Sequence, residues 1–355
     1  MSLVGTLVGM ELRQRMRSRG WYIMLAVFFV LTGLVTLGAL GLFGMSGAGP
    51  EEREASGRLM FDLVAFFVLL LSLLVSPALS ANAITGDHAG GTLAIVQVTP
   101  VRTWQLILGK WIAAWIPSVA FLLAALPWLI VTLVFGRLPV SMLLLACLVL
   151  MVEFAVVTGL GVAVSAISGR TLFAVVVTYL LVALLGIGTV IGFGLGTQFT
   201  KTTVQANHWN YGYTDDPDWQ PGQQGRCVGP LREREVSDMR RIGWALAPNP
   251  FVLMSDAVAP ASRLVEDPDA GQDSVMTMIS SGARSTQLSP EETTDCVDGI
   301  ERDTGEDLLV ERGGLTPVWP LGLAVQAGLV AVLMVWGHQR LRTPAGRLPR
   351  GLRVA

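Results

Sequence analysis

Hydrophobic and polar positions in this chain are segregated into blocks. Six stretches, roughly 21–44, 61–83, 111–135, 139–167, 171–197 and 316–337, are uncharged or nearly so and hold most of the apolar residues. Each exceeds the ~20 residues that cross a ~30 Å hydrocarbon layer at ~1.5 Å per residue. Backbone N–H and C=O groups find no water there, so each stretch is predicted to be a transmembrane helix. The first is too long for a cleaved signal peptide and lacks a small-residue cleavage site.

The polar segments carry weaker patterns. In 2–19, Leu3, Leu7, Met10 and Gln14 fall near one helical face and the arginines fill the last two turns. This predicts an amphipathic helix that lies in the headgroup layer or serves as a basic flank. Leu231, Val236, Met239, Ile242 and Leu246 recur at three-to-five spacing, which predicts a helix over 231–247. The apolar run 249–259, flanked by Pro248 and Pro260, reads as a short helix or re-entrant segment.

Composition strengthens the membrane reading. Of 355 residues, 52% are hydrophobic and 15% charged, where a soluble domain carries about a quarter charged. The net charge of -2 conceals a strong asymmetry. Arg13, Arg15, Arg17 and Arg19 precede the first span, and Arg340, Arg342, Arg347, Arg350 and Arg353 follow the last. The loop after the first span holds Glu51, Glu52, Glu54 and Asp62 against Arg53 and Arg58. Positively charged flanks stay inside, so both termini are expected to be cytoplasmic. Segment 198–315 then lies outside, with ten cations against twenty acids. The expected fold is an all-α polytopic membrane protein with six transmembrane helices and cytoplasmic termini. An extracytoplasmic α-rich or α+β domain stands between helices 5 and 6. The organisation is an interfacial helix (1–20), helices 1–5 with an inner loop at 84–110 (21–197), the outer domain (198–315), and helix 6 with a basic tail (316–355).

A few residues stand out within this frame. Cys227 and Cys296 both fall in the outer segment, where disulfides persist, and are predicted to pair; Cys147 lies in span four. Glu153 sits near the centre of span four, where a bare charge costs ~2.5 kcal/mol or much more. It is either a pathway-lining, proton-sensitive group or a hydrogen-bonded packing residue. Gly188, Gly192 and Gly196 recur at four-residue spacing in span five, which lets helices approach closely, within the chain or at a subunit interface. Pro77, Pro117 and Pro127 interrupt spans two and three. Trp209, Tyr211, Tyr213 and Trp219 gather in the outer segment as a local core or as headgroup or ligand contacts.

Enzyme chemistry finds no support. Gly109-Lys110 is followed by Trp111, so no phosphate-cradling Gly-x-x-x-x-Gly-Lys-Ser/Thr loop exists. No His-Glu-x-x-His or Gly-x-Ser-x-Gly occurs, and the three histidines are scattered. No catalytic or metal-binding residue is assigned, and no nucleic-acid partner is expected.

The inner loop between spans two and three is the most specific feature. It runs from Ala81 through Asp87-His88-Ala89-Gly90-Gly91-Thr92-Leu93 to Thr99-Pro100-Val101-Arg102, then to Gly109-Lys110-Trp111. A short amphipathic helix is predicted to stop at Thr99-Pro100, because a residue before proline is pushed out of the helical region. This loop resembles the type-2 (ABC-2) export family of ABC transporter permeases. That family's pattern is an acid, Gly-Thr-Leu, an apolar turn, a proline, and Gly-Lys opening the third span. Asp87, Gly91, Thr92, Leu93, Pro100, Gly109 and Lys110 match it. The family more often has Glu followed by Arg where this chain has Asp87-His88. Glu11-Leu12-Arg13 through Arg19 is similar to its basic N-terminal helix, and 248–257 to the segment before its last span.

The resemblance implies a permease in a bacterial inner membrane, surrounded by lipid. It would be paired with a second permease subunit, identical or not, and with cytosolic ABC ATPase subunits. The loop would dock on the ATPase through Asp87, His88, Gly91, Thr92, Leu93, Pro100 and Arg102. ATP and Mg would be used by the partner and none bound directly. The alternative is a non-transporting sensor or assembly factor whose outer domain binds a ligand or partner.

Overall fold

A computed structural model describes residues 3–43, 50–89, 102–210, 226–259, 274–294, 296–298, 300–301 and 315–341. Among them, six helices are long and apolar enough to cross a membrane. In chain order the elements begin with α1 (Leu3–Met16), α2 (Arg19–Phe43) and α3 (Pro50–Ser80). A short α4 (Thr85–Ala89) follows, then α5 (Thr103–Phe135), α6 (Val140–Ile167) and α7 (Thr171–Gly196). Strands β1 (Lys201–Asn210) and β2 (Arg226–Ser237) come next, then α8 (Pro250–Val258) and α9 (Val275–Ser285). Two-residue strands β3 (Cys296–Val297) and β4 (Ile300–Glu301) precede α10 (Trp319–Leu341). Six of these, α2, α3, α5, α6, α7 and α10, are the predicted spans. Pro77, Pro117 and Pro127 lie inside continuous helices.

The chain divides into two compact units, 1–184 with 324–355, and 185–323. In the first, α3 and α6 form the centre. Met60, Phe61, Val64 and Val68 of α3, and Leu150, Leu160, Val162 and Ala163 of α6, are fully buried. Outer helices instead expose large apolar side chains, such as Leu34 and Leu37 of α2 and Leu180 of α7. Helices in lipid gain little from burying Leu against Leu, so close packing decides where they meet. Small residues mark those places. A Cβ on Gly57 would collide with the Cα of Gly136, and one on Gly337 would come within 2.7 Å of the Ala166 Cβ.

Several polar side chains in the spans satisfy themselves locally. Thr32, Thr36, Ser72 and Thr178 each donate to the carbonyl four residues back. A few tie helices together: Trp111 Nε1 donates to Ala155 O at 2.8 Å, Trp115 Nε1 to Met151 O at 2.9 Å, and Tyr179 Oη to Leu74 O at 2.7 Å.

The second unit contains a four-stranded sheet in the order β2-β1-β3-β4, antiparallel throughout. It corrects the helix expected over 231–247. Residues 226–237 are the strand β2, paired along β1 from Lys201↔Ser237 to Asn210↔Arg226, and only single 3-10 turns follow at 239–241 and 243–245. Arg232-Glu233-Arg234-Glu235 places like charges two apart, which is the strand period, and β1 supplies partners for the two glutamates, with Gln205 Nε2 donating to Glu233 Oε1 at 3.5 Å. Lys201 pairs with Glu235 at 3.6 Å. The expected bond between Cys227 and Cys296 is present and staples β2 to β3, 69 residues on. Segment 249–259 is helical as expected. Asn249 caps α8 by accepting from Phe251 N at 2.9 Å, and Pro250 fits the first turn.

Candidate functional site: a buried charge cluster at the inner loop

The Gly109-Lys110 pair of the sequence pattern has a direct structural reason. Gly109 faces α1, where an added Cβ would stand 3.5 Å from the Leu7 Cβ. That close approach seats Leu7 among Ile84, Leu106, Ile107, Ala114, Val162 and Ala166, with Leu341 packed beside them. Glu11 lies one helical turn beyond Leu7, so it shares that face of α1. The adjacent Lys110 meets it there: its Nζ donates to Glu11 Oε1 and pairs with Asp87 Oδ2 at 2.5 Å. The lysine side chain is only 4% exposed, against 15% for Glu11 and 27% for Asp87. One cation therefore joins three elements: α1, α4 at the entry of the loop between α3 and α5, and α5 at its exit.

The surroundings hold that arrangement in place. Ser165 Oγ of α6 accepts from the backbone N–H of Ile84 and Thr85, each at 3.0 Å, which fixes the start of α4. Arg15, one turn beyond Glu11, donates through Nη2 to Leu79 O at 3.0 Å. Burial pushes this guanidinium below its ordinary value, while the Glu11 charge opposes the shift. A cleft of about 890 Å³ opens beside the cluster, lined by Glu11, Arg15, Trp21, Asn82, Asp87 and Lys110. Chemically the cluster is an ionic latch in which one lysine meets two carboxylates.

Of the other residues singled out in the loop, His88 belongs to α4. Arg102 stands just before α5, with its N–H donating to Gln105 Oε1 at 3.0 Å. Gly91, Thr92, Leu93 and Pro100 lie outside the described residues, as do Tyr211, Tyr213 and Trp219.

Glu153 is buried in α6, and Gln326 Nε2 of α10 donates to its Oε2 at 3.4 Å. Its Oε1 has no hydrogen-bond partner among the described residues. No periodicity signal links residues 173 apart, so Gln326 was invisible in the sequence. The glycines of α7 divide. Gly188 belongs to a widened π turn over Leu184–Gly188. Gly192 would meet nothing with a Cβ, whereas Gly196 packs against the Ile242 side chain.

The second unit contains a site that sequence reasoning missed. Asp256 of α8 is wholly buried and accepts four hydrogen bonds. Arg284 Nε (2.6 Å) and Ser280 Oγ (2.7 Å) reach Oδ1, while the backbone N–H groups of Val318 (2.7 Å) and Trp319 (2.9 Å) reach Oδ2. The last two satisfy the start of α10. Asn249 similarly serves the widened turn: its Nδ2 donates to Gly186 O at 2.6 Å and to Thr189 Oγ1 at 2.8 Å. A wide turn frees carbonyls, and this one is recaptured.

Six helices long and apolar enough to cross a membrane, with an ionic latch at a short loop between two of them, define a multi-pass membrane protein. Comparison with known proteins makes the class specific. The family model described as "ABC-2 family transporter protein" matches residues 6–283, so the chain belongs to the ABC-2 transporter family and is a transporter membrane subunit. It is also 30% identical over 172 residues to the "Probable ABC transporter permease protein NosY" of Pseudomonas aeruginosa. That similarity covers 44% of this chain and 59% of the relative's length.

Proposed function

We propose that the chain is the membrane-spanning half of an ATP-driven exporter, working with separate cytosolic ATPase subunits that bind ATP and Mg. The observation that carries the reading is the latch at Lys110. It ties both ends of the inner loop, through Asp87 and α5, to the N-terminal helix. An ATPase that moves the loop would therefore move α1 and α5 with it. Nucleotide states drive transport if they favour different arrangements of these helices. The family membership supports a partner ATPase and a second permease subunit. The uncovered face of α7 at Gly192 suits close contact with such a subunit. Glu153, buried beside Gln326, fits a group along the pathway between conformations.

The test is affinity purification of the tagged full chain from its native membrane in mild detergent. An ABC ATPase retained with the chain, with hydrolysis faster than that of the ATPase alone, supports the exporter. A chain that purifies without an ATPase, or with another outer partner instead, favours the sensor or assembly reading.

A further inference from the structure

A second feature of the first unit lies away from the latch. A groove of about 900 Å³ runs between the start of α7 and the end of α10. Its walls are apolar: Phe173, Val176 and Leu181 on one side, Leu333 and Trp336 on the other. Arg170, just before α7, and Arg340, in the last turn of α10, also line it. Both arginines stand at the same end. Gly337 packs on Ala166, so Arg340 lies one turn beyond that contact, beside Ile167–Arg170. Neither guanidinium has a side-chain partner among the described residues, and no acid lines the groove.

We infer that this groove binds one anionic phospholipid, its phosphate held between Arg170 and Arg340 and one acyl chain laid along α7. Two features select that occupant. Two unpaired guanidinium forks present donors in the geometry that a phosphate accepts, and they favour a headgroup without a balancing ammonium. From Arg170 to Leu181 the helix advances about 16 Å at ~1.5 Å per residue, which is half of a ~30 Å hydrocarbon layer. The apolar wall is thus as deep as one leaflet. The charge pattern of the sequence places the arginine end on the cytoplasmic side, where anionic headgroups attract basic side chains.

Native mass spectrometry of the full chain in neutral detergent tests this, with phosphatidylglycerol and phosphatidylcholine of equal chain length. The expected result is at least a tenfold preference for phosphatidylglycerol. It should be lost in the double variant Arg170→Ala/Arg340→Ala and kept in Arg170→Lys/Arg340→Lys. Val176→Trp, which fills the wall and leaves both charges, should exclude long-chain phosphatidylglycerol while still admitting the dihexanoyl form. An undiminished preference in the double alanine variant overturns the inference. So does a Phe173→Cys chain that disulfide-links to a second copy in the membrane, because the groove would then be a subunit contact.

Discussion

The latch at Lys110 and the hub at Asp256 are both buried charge sites, but they are built in opposite ways. Lys110 is held by side chains, Glu11 of α1 and Asp87 of α4. Both acids keep some contact with solvent. Asp256 is 0% exposed and its partner Arg284 only 4%. Half of its hydrogen bonds come from backbone amides. Side-chain ion pairs can part and re-form as helices move. A carboxylate bound to backbone amides can leave only if the helix end itself unravels. On the proposed function, the loop at Lys110 is the part that moves and the Asp256 site is the part that holds the start of α10.

Breaking the rigid site should have the larger effect. Asp256→Ala removes the carboxylate bonded to Arg284 and strips two amides at the start of α10 of their acceptor. We expect a loss toward the top of the ~3–5 kcal/mol that removing one partner of a buried pair costs. It would be read as a lower melting temperature in detergent and rapid proteolysis within 185–323.

Lys110→Met should cost roughly 3 kcal/mol, the low end of that range, because Glu11 and Asp87 can turn toward water. The comparison sharpens if the acids are then neutralised. Adding Glu11→Gln and Asp87→Asn to Lys110→Met should restore most of the lost melting temperature without restoring stimulation of the ATPase. Energetic coupling of this kind is expected among residues in one network.

Glu11→Gln alone should change stability by less than about 1 kcal/mol, the scale of a partly exposed pair. It removes one of the two carboxylates and leaves Asp87 on the lysine.

The smallest effect belongs to Asp238, between β2 and the turns that follow. The hydrogen bond from Arg240 holds its carboxyl below the ordinary carboxylate value, with the charges of Arg240 and Arg241 adding to the shift. A depressed value in the folded state means a contribution that is present at neutral pH. It fades as pH falls below the unfolded value of about 4. Wild type and Asp238→Asn should therefore differ slightly in melting temperature at pH 7 and converge toward pH 3.

How much of this was legible in the sequence follows from the range of each signal. The spans were legible because twenty consecutive apolar residues need no partner to be recognised. The Cys227–Cys296 bond was legible because only two cysteines fall in the outer segment. Lys110 stood out, but its partner Glu11 lies 99 residues away and was read as part of a basic flank. Asp256 was hidden for a similar reason: in a nine-residue helix an acid looks like a solvated surface residue until Arg284 and the start of α10 fold onto it. The strand β2 is hidden from apolar spacing, and its signal is the two-residue alternation of Arg and Glu over 232–235. That alternation is the stronger signal, since a charged strand at the edge of a sheet needs no apolar face.

The most direct test of the account is hydrolysis by the complex purified with its ATPase, comparing wild type with Asp87→Lys. This change sets a second cation against Lys110 at the mouth of the loop and lies beyond α3 (Pro50–Ser80). The account predicts that the ATPase still co-purifies but that its rate falls to that of the isolated subunit. Stimulation that survives at the wild-type level would contradict it.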